Sequence, residues 1–289
     1  MTTEPNPVFE ECARVTRHDA LAAQQFVLKL SAPECARHAS AGNFLHLQCD
    51  PQRALRRPFS IMRSDPAAGS VEILYKIVGQ GSAELAARKP GDRLQCLGPI
   101  GNSFRVHETT THPLLLGGGV GIPPMIFLAE SLREITGLHP LAILGSEIPF
   151  PFPIRPSKIL TADMPKEVIA AMPLLDDWGI ASRLTSLQGY PGCFHGYVHE
   201  LAEHWFLNLD RTAQQGVQVF ACGPNRMLEA VSEFCRRHAL PCQVCLEEYM
   251  ACAVGGCAGC VVPYRENNRT VAMKRVCVDG PVFDAANIF

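Results

Sequence analysis

The chain has 289 residues, of which 47% are hydrophobic and 19% are charged, and its formal net charge is −2. This balance provides no broad electrostatic field, so neither nucleic acid nor a membrane surface is expected as a partner. The opening MTTEPNPVFEE lacks the basic flank and apolar core of a signal peptide, and no apolar run reaches membrane-spanning length. The composition therefore predicts a cytoplasmic globular protein, long enough for two domains and a small appendage.

The N-terminal third consists of short runs in which apolar and polar residues alternate. Examples are FVLKL (26–30), NFLHLQC (43–49) and VEILYKIV (71–78), which are separated by Gly and Pro. Alternation with period two is typical of strands that bury one face. We therefore predict an antiparallel β-barrel domain over residues 1–107.

Two segments of this barrel carry side chains suited to a cofactor. Arg57 can pair bidentately with a pyrophosphate, and Ser60 can hydrogen-bond a flavin ring nitrogen. Tyr75 offers an aromatic face, and backbone N–H groups around Gly81 can bind phosphate. Either segment alone fits an ordinary strand and turn. The candidate cofactor-binding residues of the barrel are Arg57, Pro58, Phe59, Ser60, Leu74, Tyr75, Lys76, Gly81 and Ser82.

From His112 the pattern changes to strands that alternate with helices, which predicts a parallel sheet in a nucleotide-binding α/β domain over residues 108–240. The predicted strands are PLLL (113–116), LAIL (141–144), SKIL (157–160), SRLT (182–185) and VQVFA (217–221). Helices are predicted for MIFLAESLREI (125–135), 196–206 and 225–238. The Pro-rich segment 147–157 is predicted to be a rigid connection.

Two loops of this domain are candidates for binding a dinucleotide. Gly118, Gly119 and Gly121 lie between the first strand and its helix, where they let phosphates approach the backbone. The second loop, Cys222-Gly223-Pro224, follows a strand. A lone glycine turn is weak evidence, and a thiol that ends a strand is usually a packing residue.

Four cysteines near the C-terminus are the strongest chemical signal. Four residues separate Cys252 from Cys257, two separate Cys257 from Cys260, and sixteen separate Cys260 from Cys277. This is the ligand spacing of a ferredoxin-type 2Fe–2S cluster, so we predict a cluster-binding domain over residues 241–289. Its flanking segments VVPY and VCVDG are predicted to form a hairpin that returns Cys277 to the loop. A zinc site or a disulfide framework is the alternative.

The remaining cysteines and a histidine cluster are interpreted as structural. Nine of the thirteen cysteines lie outside the cluster pattern, and most are expected in the core as reduced thiols. Cys242 and Cys245 have metal-like spacing but no second pair. His195 and His199 have ligand-compatible spacing, yet they lack a carboxylate motif, so a solvated or partly packed helix face is the preferred interpretation.

Taken together, the motifs resemble those of one family. R-P-x-S at 57–60 followed by G-x-G-S at 79–82, with GPIGNSF at 98–104, is similar to the flavin-binding signature of the ferredoxin reductase superfamily. The Cys222 loop resembles the loop that lies on the nicotinamide side in these reductases. With EEYMAC (247–252) and CVDGPVF (277–283), the chain resembles the electron transfer subunits of NAD-dependent (class 1B) dihydroorotate dehydrogenases.

This resemblance implies a fold, three redox groups and a partner. The fold is an FAD-binding barrel, an NAD-binding parallel-sheet domain and a small 2Fe–2S appendage. Electrons would pass from dihydroorotate through FMN in a catalytic partner subunit, then through 2Fe–2S and FAD, to NAD in pyrimidine biosynthesis. The partner would complete a heterotetramer. The mechanism is electron relay, and no catalytic acid, base or nucleophile is predicted.

Two departures from the family pattern bear on the nucleotide preference. Thr185-Ser186-Leu187-Gln188-Gly189-Tyr190 stands where the family commonly has T-D-D-G-S, and LGSEIPF (144–150) replaces a more usual G-x-R. Glu147 could disfavour a 2′-phosphate and so favour NAD over NADP.

A subunit of a sulfide dehydrogenase or of an NADPH–ferredoxin transhydrogenase is the alternative function. A non-catalytic module with a structural cluster is a third interpretation, against which the flavin motifs argue.

Overall fold

The computed structural model describes residues 7–267 and 269–289. Two predicted features lie partly outside the described residues. These are residues 1–6 of the N-terminal segment for which no signal peptide is predicted, and Asn268 of the predicted hairpin turn. The chain divides into two compact units. One comprises the chain up to Phe104 with Leu246–Phe283 and Ile288, and the other comprises Arg105–Cys245, Asp284–Asn287 and Phe289.

The first unit contains the predicted barrel, which closes in the strand order β1-β2-β5-β4-β3-β6. The strands are β1 Phe9–Leu21, β2 Gln25–Ser31, β3 Phe44–Leu47, β4 Arg57–Asp65, β5 Ser70–Lys76 and β6 Arg93–Ile100. Two short helices, α1 Pro33–His38 and α2 Gln80–Ala86, lie between strands. Alternate side chains such as Leu28, Leu30 and Ile73 are fully buried, which is the pattern that the sequence predicted.

The second unit contains five parallel strands in the order β11-β8-β7-β12-β13. The strands of this unit are β7 His112–Gly118, β8 Leu141–Gly145, β9 Arg155–Pro156, β10 Ala170–Ala171, β11 Ala181–Thr185, β12 Val217–Cys222 and β13 Cys242–Cys245. Its helices are α3 Ile122–Leu132, α4 Pro173–Asp177, α5 Val198–Asn208, α6 Arg211–Gln215 and α7 Asn225–Arg237. The predicted parallel sheet is confirmed.

One predicted strand is wrong. SKIL (157–160) is irregular, because side chains satisfy its backbone in place of a sheet ladder. The Lys158 amide donates to the carboxylate of Asp176 at 2.7 Å, and the guanidinium of Arg183 donates to the Ile159 carbonyl at 2.9 Å. The strand β13, which the sequence analysis missed, contains the pair Cys242 and Cys245, both of them buried.

The C-terminal segment of the first unit forms a hairpin of β14 Val261–Glu266 and β15 Arg269–Arg275, and β16 Val282–Asp284 follows. The prediction that VCVDG (276–280) is the second strand of the hairpin is wrong. That segment turns instead, since the carboxylate of Asp279 accepts a hydrogen bond from the Arg275 amide at 2.7 Å and pairs with its guanidinium. None of the helices in residues 7–267 and 269–289 has the length and apolar character needed to cross a membrane.

Candidate functional site

The glycine turn and the Cys222 loop of the second unit lie at one point of its sheet. β7 is the first parallel strand of this unit, β8 lies on one side of it, and β12 lies on the other. Strands β8 and β11 are added on one side of β7, and β12 and β13 are added on the other. The strand order therefore changes direction between β7 and β12, and open α/β sheets bind nucleotides at such a switch point. Cys222 is in register with Gly117, so both predicted loops leave the sheet side by side.

Close backbone contact explains the glycines in these loops. A Cβ atom on Gly121 would lie 2.2 Å from the Cys222 carbonyl oxygen, and one on Gly118 would lie 2.4 Å from the Met227 sulfur. Gly119 has φ +56° and borders open space. The eleven-residue helix α3 begins directly after this turn, so its free N–H groups lie at the switch point. The arrangement can accept a dinucleotide phosphate.

In the barrel, Arg57 lies over the first turn of α2. A Cβ atom on Gly81 would be 3.0 Å from its Nε atom, and its guanidinium donates to the carbonyl oxygens of Leu55 and Arg56, each at 3.0 Å. A fixed guanidinium beside helix-start N–H groups is suited to a pyrophosphate. The two predicted flavin-binding segments are thus brought together, although Arg57 and Gly81 are 24 positions apart in sequence.

The hydroxyl of Ser82 has a structural role in this turn. It accepts hydrogen bonds from the amides of Val78 and Gly79 at 2.9 and 3.2 Å, and it donates to the Gly79 carbonyl at 3.0 Å. Ser82 therefore shapes the start of α2 through its own backbone. Any phosphate contact of this turn falls to the backbone N–H groups.

An aromatic wall lies beside the Arg57 strand. Tyr75 is buried and its hydroxyl lies 2.9 Å from His18 Nε2. Its ring stacks on Phe26 at 5.4 Å, and Phe59 meets it edge-on at 5.5 Å. Burial raises the pKa of Tyr75, so the phenol stays neutral.

The other predicted residues of these two strands differ in burial. Four are half-buried: Pro58, Phe59, Ser60 and Lys76. Leu74 belongs to the core.

The four predicted cluster ligands form two pairs. The sulfur atoms of Cys260 and Cys277 are 3.4 Å apart, and the Cys257 amide donates to the Cys252 sulfur at 3.4 Å. Among the described residues, no three His, Cys, Asp or Glu side chains converge on a single point. A 2Fe–2S cluster contains two irons and takes four cysteine thiolates, two for each iron, so two thiol pairs supply a suitable ligand set.

The electrostatics of these thiols also suit a cluster. Hydrogen bonds from the backbone of Val254, and then of Cys257, lower the pKa of Cys252 to about 7. Burial, followed by the adjacent Cys260 thiol, raises the pKa of Cys277 to about 12. A buried sulfur pair is costly to ionise without a cation, and bound iron would remove that cost. These residues fit the 2Fe–2S group.

The loop that carries three of these cysteines is folded by left-handed backbone conformations. Ala253, Gly255 and Ala258 have φ of +57°, +81° and +51°. Ala253 and Ala258 each place a Cβ atom in this conformation, which costs about 1–2 kcal/mol per residue.

Asn102, which is absent from the predicted site, ties the barrel to the segment that follows Cys277. Its amide nitrogen donates to the Val282 carbonyl and its amide oxygen accepts from the Val282 N–H, both at 2.9 Å. Its backbone N–H donates to the Gly280 carbonyl at 2.7 Å. The GPIGNSF motif contains this residue, so the motif was the available sequence signal for it.

We expect Asn102→Ala to loosen the segment after Cys277. The change removes two hydrogen bonds to the Val282 backbone, at a cost of about 1–3 kcal/mol. Iron should consequently be lost faster to a chelator, which the decay of visible absorption measures. Asn208→Ala, which removes one surface hydrogen bond to His204 in the other unit, is the control. Equal iron-loss rates in all three proteins would contradict this role.

Family models match two parts of the chain. The model described as an oxidoreductase FAD-binding domain matches residues 14–104. The model described as the iron–sulfur cluster binding domain of dihydroorotate dehydrogenase B matches residues 247–289. The first match spans the barrel, and the second contains all four paired cysteines.

Curated relatives align over most of the chain. The dihydroorotate dehydrogenase B (NAD(+)) electron transfer subunit of Geobacillus thermodenitrificans is 33% identical over 283 residues, which cover 93% of this chain and 94% of that protein. The subunit of the same name from Streptococcus mutans is 33% identical over 251 residues, which cover 86% of each chain. The one from Desulforamulus reducens is 30% identical and covers 94% of this chain and 95% of its own.

Solved structures share the fold at lower identity. The NADH-dependent reduced ferredoxin-NADP oxidoreductase matches with a TM-score of 0.76 at 23% identity, over 96% of this chain and 90% of that one. The ferredoxin reductase of carbazole 1,9a-dioxygenase matches with a TM-score of 0.63 at 21% identity, over 81% and 67% of the two chains. The architecture is therefore that of the ferredoxin reductases.

Proposed function

Because this chain belongs to the family of dihydroorotate dehydrogenase B (NAD(+)) electron transfer subunits, we propose that it carries electrons from a dihydroorotate-oxidising partner to NAD. The route uses a 2Fe–2S cluster and FAD, in pyrimidine biosynthesis in the cytoplasm. The observation that carries the proposal is the pairing of four cysteines within the unit that also contains the flavin-binding barrel.

Each part of the chain has a separate task in this relay. Arg57 and the start of α2 hold the FAD pyrophosphate, Phe59 and Tyr75 form an apolar wall, and Ser60 orients the ring system. The loops at Gly121 and Cys222 bind the nicotinamide nucleotide. FAD, when bound, exchanges a hydride with a nicotinamide and single electrons with a cluster. The remaining tasks of the chain are binding, orientation and exclusion of water.

The partner is proposed to be an FMN-containing catalytic subunit, assembled with this chain as a heterotetramer. Apolar side chains near the cluster cysteines are available for such a contact: Tyr249 is 94% exposed, Val254 54% and Val278 42%. Val261 is also exposed, whereas its neighbour Val262 is buried. Exposed apolar residues grouped around a redox centre favour a protein partner that covers them.

An anaerobic titration of the purified chain with NADH tests the relay directly. We expect the flavin absorption to bleach and the cluster to become reduced, with a rhombic electron paramagnetic resonance signal of one unpaired electron. Each molecule should take up three electrons, two by FAD and one by the cluster. Reduction of flavin while the cluster stays oxidised would overturn the proposed route.

Glu147 is proposed to set the preference for NAD. It is exposed two residues beyond β8, the second parallel strand, where dinucleotide-binding folds place an acid against the ribose. A carboxylate 4 Å from a 2′-phosphate charge costs about 1–4 kcal/mol, depending on the local dielectric. Glu147→Ser should lower the KM for NADPH at least about fivefold while that for NADH stays equal or rises. Unchanged KM values for both nucleotides would contradict this role. Glu134→Ser, on the surface of the same unit, is the control.

A further inference from the structure

His46 is a buried polar residue that the relay described above does not use. It lies on β3, whose four residues are all buried. Leu45 and Leu47 are fully buried on one face of this strand, while Phe44 and His46 occupy the other. His46 is only 1% exposed, and neither of its ring nitrogen atoms has a hydrogen-bond partner among the described residues. Such a buried orphan calls for an explanation.

The surroundings of His46 connect the flavin strand with the cluster loop. In the barrel, His46 is directly opposite Pro58 of the R-P-x-S segment on β4. The backbone groups that face its ring belong to Met250 and to Arg56. Met250 lies two residues before the cluster ligand Cys252, and Arg56 directly precedes Arg57. One imidazole therefore faces both segments that are proposed to hold redox groups.

Arg56, like His46, has a buried nitrogen atom without a hydrogen-bond partner among the described residues. Its terminal nitrogen pairs with Glu10 at 2.5 Å, but its Nε atom is buried without a partner. Two residues with unpaired buried nitrogen atoms thus lie close together, His46 on β3 and Arg56 directly before β4. A polar site of this kind costs stability, about 1–3 kcal/mol for each unsatisfied group. A core that had only to pack would use an apolar residue at position 46.

The His46 ring is neutral at physiological pH. Burial, and then the positive charge of Arg56, lower its pKa to about 4. A neutral imidazole has one N–H donor and one acceptor nitrogen. The donor can engage the carbonyl group of Met250 or that of Arg56, and in either case the ring fills the space between the two backbones. The ring contributes shape and an uncharged donor that faces these two backbone segments.

We propose that His46 is a positioning residue for electron transfer, which fixes the beginning of the 2Fe–2S loop at Met250 against the FAD-binding strand at Arg56 and Pro58. This proposal rests on the proposed function, because it assigns His46 to the step between FAD and the cluster. His46 reaches the redox groups through these backbone segments, so it is expected to affect the rate between them and the environment of the cluster, while hydride exchange with NADH is spared.

The test compares the His46→Phe and His46→Gln variants of the full chain with the wild type. Iron and FAD contents are measured first. NADH is then mixed rapidly with each protein, and reduction of flavin and cluster is followed separately by absorption. We expect the flavin step to stay within about twofold and the cluster step in His46→Phe to slow at least about tenfold, which corresponds to about 1.4 kcal/mol. The g-values of the reduced cluster should shift in both variants.

Two further comparisons make the outcome decisive. His38→Gln, an exposed histidine of the same barrel, should match the wild type in every readout. If His46→Phe does not fold, His46→Gln supplies the same measurements. Wild-type cluster-reduction rates and g-values in a fully loaded His46 variant would overturn the proposal. A wild-type cluster that NADH does not reduce would instead overturn the relay itself, so the two failures are distinguishable.

Discussion

The Cys257→Ser variant is expected to lose its iron and to keep most of its FAD. Cys257 is exposed, and its backbone N–H donates to the sulfur of Cys252, with which it forms one of the two thiol pairs. A serine hydroxyl is a poor ligand for an iron–sulfur centre because it is harder and far less acidic than a thiol. Cys252 would then be the only thiol left in this pair. Iron and sulfide analysis, with electron paramagnetic resonance after reduction, measures the loss.

Cys12→Ser is the matched control for this variant. Cys12 is also an exposed free cysteine, but it lies on β1 of the barrel, outside the paired set. It should retain full iron and an unchanged spectrum. Stoichiometric iron in Cys257→Ser, with the wild-type signal, would refute the assignment of Cys257 as a ligand.

Removal of the Arg57 guanidinium should release FAD. Arg57→Ala deletes the cation that lies over the first turn of α2 and is proposed to contact the pyrophosphate. Charge-assisted contacts of this kind are worth about 1.5–3 kcal/mol, so the Kd for FAD should rise about 10- to 150-fold. The flavin should be lost during desalting, and fluorescence titration of the apoprotein gives the two Kd values.

The control for Arg57 is Arg37→Ala. Arg37 is an exposed arginine of α1 whose side chain pairs with Glu34 on the same helix. Its loss changes the net charge equally, and flavin affinity should not change. Full flavin occupancy of Arg57→Ala after gel filtration at high salt would show that this arginine does not hold the cofactor.

The architecture was largely readable from the sequence, because both patterns that build it are local. Alternation in segments such as VEILYKIV predicted the barrel, and apolar runs followed by helices predicted the parallel sheet. SKIL has the same apolar character as a strand. Asp176 and Arg183, which are distant in sequence, bind its backbone instead. Tertiary contacts of this kind override local propensity.

The residues of the candidate site likewise fall into two groups, those that local sequence spacing predicts and those that only tertiary contacts identify. The spacing of Cys252, Cys257 and Cys260 is a local feature, and the structure brings Cys277 to within 3.4 Å of Cys260 as the sequence predicted. His46 and Asn102 were missed, because each gains its meaning from the C-terminal segment. No period or spacing in the sequence signals that Asn102 will meet Val282, or that His46 will lie near Met250.

The most direct test of the account is a coupled assay with a separately purified FMN-containing, dihydroorotate-oxidising subunit. By itself, this chain should reduce artificial acceptors with NADH and should not oxidise dihydroorotate. Addition of the partner should couple dihydroorotate oxidation to NAD reduction, and Cys277→Ser should abolish that coupling while NADH-dependent dye reduction continues. Oxidation of dihydroorotate by this chain alone, or normal coupling with the Cys277→Ser protein, would contradict the relay.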